Sequence, residues 1–599
     1  MQSKIYTQIK TSFEKGVLFP SINKNGVIVR KHTIFEEIVY RNLDNVDTVA
    51  LEVNGSTLTY GEFFLEVERY MSAFRSIGLH ENDVVSLCLP VSVEFICAYY
   101  ALTTLGVACN ALNIVFLLSQ GAKPYLEERN SKILVCYDKF YDMLLKSGAF
   151  ENSDIEKIIL TGDESYAHFN SDKAHVATPV HGIGHTEMLT LDSFLSCSFC
   201  DNTLPIAKYD ENRISTLNYT SGTTGIPKCM AHSDLAPLFL VAAHDHIPRD
   251  EFRGDRTLLT IPLQHPTGLF YSMVFQMAQG KTLVLEPRYE KKLFAHDIKI
   301  LRINHVVQAK PFYAQLIQDQ ADGNLRPGDF ELLRNPYSGG EGIPLPVFKE
   351  INRALEYAGC KAPLALGYGR SEEGSLTINA YNMQYRQNTV GLPLPGIKAK
   401  LIHPETLEEI PLIPGAKGEI VVATPVMPIG HCYLGTNNSA GSQDGSFVDD
   451  MGVRWARPRD IAEYVELQDG QCSFLVLGRS DDSVPRGGKI HYLFDLKEQI
   501  SSIDGVQECE VLKTLVENDT LITVHCVIGS TSGRSEEVVS RDIFKIAPIV
   551  DGIKFYPHFA INATSGKCDR ETMCKELDNF YVPNNGQILR QCLLDRVEK

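Results

Sequence analysis

Short runs of apolar, largely β-branched residues alternate along this chain with longer amphipathic stretches, and this alternation limits the available folds more than any other feature. "TVALEVNG" reads as a strand punctuated by Gly55, and "STLTYGEFFLEVERYMSAFRSIG" as a turn followed by a helix. Within that helix Phe63, Val67, Met71 and Phe74 recur at helical spacing and form one apolar face. "DVVSLCLP" is a nearly continuous apolar strand, and "SVEFICAYYALTTLG" a helix ending at Gly106. Strands without a polar face must be covered on both sides, so the pattern predicts an α/β fold with parallel sheets sandwiched between helices. It returns at "KILVCYDK" and "IEKIILTGD".

A polar stretch from about 163 to 208 interrupts the alternation and reads as an irregular loop or insertion. Strand–helix texture resumes at "RTLLTIPL" (256–263), "KTLVLEP" (281–287) and "HVVQAKPFYAQLI" (305–317). From about 390 the chain turns β-rich, and from about 481 it mixes short strands with helices. At roughly 100–200 residues per domain, 599 residues make three or four folding units. The expected division is a large N-terminal α/β body, 1–480, whose β-rich sub-domain covers about 390–480, and a small α+β lid domain, 481–599.

Charge narrows the partners. Against 57 Lys and Arg stand 74 Asp and Glu, a formal net charge of −17, which disfavours a nucleic-acid duplex or an anionic membrane surface as the main partner. Phosphate ligands remain open, because local backbone donors hold them. No run of about 18 apolar residues occurs and the opening "MQSKIYTQIKTSFEKG" lacks an apolar signal core. The 15 cysteines are scattered, with Cys197 and Cys200 the one CxxC-like spacing, which reads as a loop coincidence. Reduced thiols in a cytoplasmic protein are therefore expected, and the terminal Val597-Glu598-Lys599 is not a peroxisomal tripeptide.

The sharpest local signal is "YTSGTTGIPKCMAHS", residues 219–233. Between Thr220 and Gly225 lie two glycines and four hydroxyl side chains, following the plausible strand "RISTLNY". Glycines let a backbone approach phosphate closely, hydroxyls and amides donate hydrogen bonds, and Lys228 adds a cation. It is not the GxxxxGK[ST] loop, since Pro227 precedes the lysine and Cys229 follows it. Composition alone also allows a Ser/Thr/Gly-rich surface turn.

The stretch resembles the phosphate-binding signature of the adenylate-forming superfamily: acyl- and aryl-CoA synthetases, adenylation domains of peptide synthetases, and firefly luciferase. Further stretches similar to that family follow in its order. "SGGEGIPLP" (338–346) resembles the adenine-side loop, with Gly339, Gly340 and Glu341 lining it. "LGYGRSEEG" (366–374) is similar to aromatic-Gly-x-Thr-Glu. The resemblance implies that Tyr368, followed by Gly369, stacks on adenine, that Ser371 contacts phosphate or carboxylate, and that Glu372 binds Mg²⁺. Glu373 stands beside Glu372 as a second acid. "VGLPLPGIKAKLI" and "GAKGEIVV" match the β-rich sub-domain.

"RWARPRDIAEYV" (454–465) sits where the family places Thr-Gly-Asp, which makes Asp460 the acceptor for the ribose hydroxyls while Pro458-Arg459 replaces Thr-Gly. "VLGRSDDSVPRGGKI" (476–490) resembles the domain-junction segment, with Arg479 on ribose or α-phosphate and Asp481 as hinge. Pro485 departs from the family pattern in a region that shapes the pantetheine tunnel of CoA ligases. "NATSGKCDRETM" (562–573) is similar to the C-terminal catalytic loop, with Lys567 bridging carboxylate and α-phosphate.

The resemblance implies ATP-dependent activation of a small carboxylic acid, with pyrophosphate as leaving group, then transfer of the acyl group to a thiol. ATP, Mg²⁺ and CoA are the expected cofactors, and Lys567, Glu372, Thr220 and Lys228 the catalytic set, Thr220 reaching Mg²⁺ through phosphate or water. His265 in "LTIPLQHPTGLFYS", with Gly340 and Gly367, would line the acid pocket. Pro266 stands where amino-acid-activating relatives carry an Asp, which favours an acid without an α-amino group. Phe270, Tyr271, Phe312 and Tyr313 are candidate pocket walls, or plain core. No carrier signature follows Lys567, so a carrier protein would be a separate chain. The alternatives are a stand-alone adenylation enzyme loading such a carrier or another nucleophile, and a decayed nucleotide-binding regulator. Relatives commonly form dimers, so a homodimer is a further expectation.

Overall fold

The computed structural model describes residues 3–17, 19–151, 153–162, 186–196, 205–220, 228–247, 251–286, 290–380, 388–429, 445–486, 489–516, 519–529, 532–560, 568–584 and 587–594. Apolar strands and amphipathic helices assemble into two large sheets whose interior strands are parallel, as the alternation predicts.

The first sheet has seven strands. Their spatial order is Lys228–His232, Thr216–Thr220, Ala108–Ala111, Val84–Cys88, Ser131–Tyr137, Lys157–Thr161 and Glu187–Thr190. All its neighbours run parallel except the edge pair Thr216–Thr220 and Lys228–His232. The polar stretch after 162 is therefore not wholly irregular. Glu187–Thr190 alternates one more strand onto the sheet edge, and Leu191–Ser196 forms a short helix whose Phe194 is buried against Phe74. Residues 163–185 and 197–204, including Cys197 and Cys200, lie outside the described residues.

The second sheet has nine strands. Six parallel ones form its middle: Val49–Val53, Thr282–Leu285, Arg256–Leu259, His305–Val307, Asn335–Gly339 and Ala365–Tyr368. Short antiparallel strands close both edges. The helix Tyr60–Ser76 begins with a reciprocal cap, in which Thr59 accepts from the Glu62 amide and the Glu62 side chain reaches back to Thr59. Phe63, Val67, Met71 and Phe74 are fully buried on its inner face.

From Lys398 the chain builds an antiparallel sheet that includes Lys417–Ala423, Asp460–Glu466 and Cys472–Arg479. Beyond it, the hairpin Ser483–Arg486 with Lys489–Tyr492 leads into a separate five-stranded sheet, 506–591, packed with the helices Leu493–Ser501 and Glu536–Ile546. That sheet has its own cores, built from residues such as Ile500, Val524, Val539, Ile553 and Phe580. No helix among the described residues is long and apolar enough to cross a membrane, and the 12 described cysteines are all free.

Candidate functional site

Thr220 and Lys228 face each other in register across the antiparallel edge of the first sheet, so the hydroxyl- and glycine-rich segment connects two paired strands. Ser221, Gly222, Thr223, Thr224 and Gly225 lie outside the described residues, as does the Thr220 side chain. Tyr219, the residue before, is buried and donates its hydroxyl to Asn110 Oδ1 at 3.0 Å. It lines a pocket together with Phe116, Gln264 and His265. Tyr219, at the end of the strand that leads into that segment, and His265 thus line the same hollow.

His265 heads a helix of unusual form. After Pro266 the chain runs through nine residues, Thr267–Phe275, wound as a π-helix, a rare geometry concentrated at functional sites. His265 Nδ1 accepts from the Thr267 amide at 3.2 Å, and Nε2 lies 3.4 Å from Ser371 Oγ. The segments containing His265 and Ser371 are far apart in sequence and meet here.

Gly339, Gly367 and Tyr368 come from the ends of adjacent parallel strands, with Gly339 paired to Gly367. The carboxyl ends of parallel strands are where open α/β sheets bind ligands. Gly367 is a close-approach position, because a Cβ there would lie 1.8 Å from the Tyr337 hydroxyl. Gly340 has φ +86°, a backbone setting that favours glycine. Tyr368 is buried and donates its hydroxyl to Asp460 Oδ2 at 2.8 Å. Asp460 is half-buried and pairs with Arg479 across the strands Asp460–Glu466 and Cys472–Arg479. These contacts bring Tyr368, Asp460 and Arg479, drawn from three separate stretches of sequence, to one place.

The departure at Arg459 has a conformational explanation. Arg459 sits at φ +64°, and its carbonyl accepts from the Ser480 amide at 2.7 Å. An arginine here adopts the left-handed backbone for which glycine is the unstrained choice, so the turn that presents Asp460 is formed despite the substitution. Arg479 folds onto Asp481, with Nε–Oδ1 at 2.9 Å and Nη2–Oδ2 at 3.3 Å.

The two adjacent acids separate cleanly. Glu373 is fully buried, and burial pushes its carboxyl up to about 7 against the pull of Arg370. Glu372 is only partly buried and pairs with Arg370, at 3.1 Å from Nη2. Glu372 is therefore the carboxylate within reach of a ligand. Behind it lies His232, whose ring nitrogens have no hydrogen-bond partner and which burial pushes down to about 4. No group of three or more His, Cys, Asp or Glu side chains among the described residues could hold a metal ion by themselves. One accessible carboxylate fits Mg²⁺, which commonly takes one or two protein carboxylates and completes its shell with phosphate and water.

Glu341 turns away from the glycine loop. Its Oε2 lies 3.4 Å from Lys310 Nζ, and Lys310 reaches Glu510 of the C-terminal sheet at 3.0 Å. Lys567 lies outside the described residues, but Arg570, three positions on, joins the same cluster at 2.7 Å from Glu510. Of the candidate pocket walls, Tyr271 lines a second cavity and Phe270 packs on His232 at 5.4 Å. Phe312 and Tyr313 belong to a core cluster on the other side of the sheet, where Tyr313 donates to the Val306 carbonyl at 3.1 Å. Sequence reasoning missed Lys310, Arg370 and His232. Of these, Arg370 and His232 carried a signal in their places inside "LGYGRSEEG" and "YTSGTTGIPKCMAHS".

Comparison with known proteins agrees with this arrangement. A family model described as AMP-binding enzyme matches residues 39–433. The chain is 24% identical over 552 residues to a long-chain-fatty-acid–CoA ligase of Bacillus subtilis (strain 168), covering 90% of this chain and 93% of that one. It is 22% identical over 567 residues to 4-coumarate–CoA ligase 1 of Arabidopsis thaliana, covering 92% and 94%. Among solved structures, the anthranilate CoA ligase AuaEII in complex with anthranoyl-AMP superposes with a TM-score of 0.73 at 19% identity, over 91% of this chain and 98% of that one. The family match spans well over half of the sequence, and on it the chain is a member of the AMP-binding enzyme family, a ligase of the adenylate-forming superfamily.

Proposed function

We propose that the protein activates a carboxylic acid with ATP, forming an acyl-adenylate and pyrophosphate, and then transfers the acyl group to the thiol of CoA. The observation that carries this reading is the convergence of Tyr368, Asp460 and Arg479 beside the paired glycines 339 and 367, within the same strand ends that present His265 and Ser371. In this reading Tyr368 and Gly369 face the adenine with Gly339 and Gly340, and Asp460 accepts from the ribose hydroxyls. Arg479 leaves Asp481 for the ribose or α-phosphate, and Asp481 is the hinge between residues 1–480 and 481–599. Glu341 supports the adenine loop from behind through Lys310.

The chemical difficulty is charge. A carboxylate oxygen must approach an α-phosphorus already surrounded by anionic oxygens, and its own oxygen leaves only once converted to a phosphate ester. Mg²⁺ held by Glu372, when bound, neutralises part of the phosphate charge. The donors of residues 220–225 and Lys228 hold the phosphate chain in line, and Lys567 bridges the attacking carboxylate and the α-phosphate. Arg370 now occupies Glu372 and must yield a carboxylate oxygen as the nucleotide arrives. His265, with Gly340 and Gly367, borders the acid. The positive φ of Arg459 shows that this substitution does not cost the Asp460 turn, so the departure there gives no reason to prefer a carrier protein over CoA.

The test is carboxylate-dependent pyrophosphate release from ATP across fatty, aryl and amino acids, with product analysis by mass in the presence of CoA. Release together with an acyl-CoA product supports the reading. Release that leaves CoA unconsumed overturns the CoA step, and silence across the acids overturns the activation step.

A further inference from the structure

The segment from Glu341 to Leu345 directly follows Gly339 and Gly340 and leads into the helix Leu345–Tyr357. That helix has Pro344 as its N-cap, which offers no side-chain acceptor to the free amides of the first turn. An acceptor comes instead from the C-terminal unit, where Glu498 Oε1 takes the Leu345 N–H at 3.2 Å. At the other end of the segment, Glu341 Oε1 is buried with no hydrogen-bond partner, and Oε2 meets one cation among the described residues, Lys310 at 3.4 Å. Lys310 is 3% exposed and donates to Glu510 Oε1 of the C-terminal sheet at 3.0 Å. Both ends of the segment are thus tied to the C-terminal unit, one directly through Glu498 and the other through Lys310 to Glu510.

Glu510 carries the tie onward. Its other oxygen accepts from Arg570 at 2.7 Å and 3.0 Å, and Arg570 also reaches Asp482, beside the proposed hinge Asp481, at 3.4 Å. Arg570 stands three residues after Lys567. A line of alternating charge, Glu341, Lys310, Glu510 and Arg570, therefore joins the glycine loop to the chain that follows the catalytic lysine. Burial would push the Lys310 ammonium down, but Glu341 and Glu510 on either side hold it above its ordinary range. Separating a buried ion pair is costly where it strands a lone charge. Here neither side is stranded: Lys310 keeps Glu341 on the body, and Glu510 keeps Lys497 at 2.8 Å and Arg570 on its own unit. The Lys310–Glu510 contact is therefore one that can be made and released as a domain turns.

We propose that Lys310 is a positioning residue for the activation step: paired with Glu341 and Glu510 together, it holds the chain beside Lys567 against the glycine loop, and it releases Glu510 for the transfer step. The inference rests on the two-step activity and the Asp481 hinge proposed above. Lys310 touches no reacting atom. It acts through Glu341 on one side and through Glu510 and Arg570 on the other. Lys310→Met keeps much of the aliphatic stem and removes the charge, and because Glu510 retains two cations, the C-terminal unit is expected to stay folded.

The experiment measures the two half-reactions apart: acid-dependent exchange of labelled pyrophosphate into ATP, and acylation of CoA by the synthetic acyl-adenylate of the same acid. Lys310→Met is expected to lower kcat for exchange at least about tenfold while changing the CoA step less than about twofold. Lys310→Arg, which keeps the charge, should recover exchange to within about threefold of the parent. Circular dichroism checks that both variants are folded. A fall shared equally by the two half-reactions, or unchanged exchange in a folded Lys310→Met protein, overturns the inference while leaving acid activation standing. Hydrogen exchange at the Leu345 amide gives a readout independent of turnover. Its bond to Glu498 needs the docked C-terminal unit, so its exchange should quicken at least about tenfold in Lys310→Met, and an unchanged rate overturns the inference. A parent inactive in either half-reaction overturns that step of the proposed function, and the Leu345 rate then decides alone whether Lys310 joins the two units.

Discussion

Replacing Glu510 by Gln removes one negative charge from a buried ion cluster that joins the C-terminal unit to the body. Glu510 is 0% exposed. Its carboxylate meets Lys497 at 2.8 Å, Lys310 at 3.0 Å, and Arg570 at 2.7 Å and 3.0 Å. Burial would push this carboxyl up, but Lys497, Lys310 and Arg570 hold it well below the usual carboxylate range. Glutamine keeps the shape and leaves three cations facing Glu341, Glu508 and Asp482 alone. Breaking one buried pair by removing a partner costs about 3–5 kcal/mol. Because the three pairs share one carboxylate, their losses do not add, and the expected destabilisation stays near about 3–5 kcal/mol. The cost falls on the C-terminal unit, since Lys497, Arg570 and Glu510 all belong to it and only Lys310 comes from the body. Urea unfolding followed by hydrogen exchange should therefore show residues 484–593 losing protection before the large sheets do. A carboxyl with a depressed folded-state pKa stabilises fully above its unfolded value of about 4.3 and loses that contribution as pH falls through the folded value. The gap between parent and variant should accordingly be constant from about pH 5 to pH 8 and narrow only below about pH 4. A loss under about 1 kcal/mol, or a gap that closes near neutrality, would refute the reasoning.

Four other outcomes follow from particular contacts. Asp460→Ala removes the acceptor of the Tyr368 hydroxyl and, in the proposed function, the ribose acceptor. It should raise the KM for ATP by roughly 10–100-fold, the equivalent of about 1.5–3 kcal/mol for a charged hydrogen bond. Gly367→Ala places a methyl 1.8 Å from the Tyr337 hydroxyl, so thermal melting should show a loss of about 1–3 kcal/mol and the KM for the acid should change with it. Arg459→Gly relieves the left-handed backbone at φ +64°, and melting should rise by the equivalent of about 1 kcal/mol. Lys281→Met removes an ammonium that burial has pushed down to about 7. A cation with a depressed folded-state pKa destabilises most at low pH, so the variant should gain up to about 5 kcal/mol near pH 6 and little above pH 10.

Much of this architecture was legible because it rests on local rules. "DVVSLCLP" and "KILVCYDK" have no polar face, and both became interior parallel strands. The face of Phe63, Val67, Met71 and Phe74 is the buried face of its helix. Ordered motifs likewise located Tyr368, Asp460 and His265, which the fold then drew together. What the sequence hid depends on long-range pairing. Lys310 opens a helix and Glu510 lies on a strand of the C-terminal unit, and nothing local in either segment marks that the two meet across 200 positions. The Glu187–Thr190 strand was obscured by the polar residues around it, and among the described residues it pairs with the strand at Lys157–Thr161 alone. Lys281 stands at the start of a strand, where lysines are ordinary, and only packing beneath Phe252 and His305 shows that its ammonium is buried.

The most direct test of acid activation is acid-dependent exchange of labelled pyrophosphate into ATP, which needs only the first half-reaction. The parent protein should catalyse exchange with at least one class of carboxylic acid, Glu372→Ala and Lys567→Ala should each lower it by at least about 100-fold, or about 2.7 kcal/mol of transition-state stabilisation, and omission of CoA should leave it intact. Exchange that proceeds equally well in both variants, or that never depends on an added acid, would contradict the account.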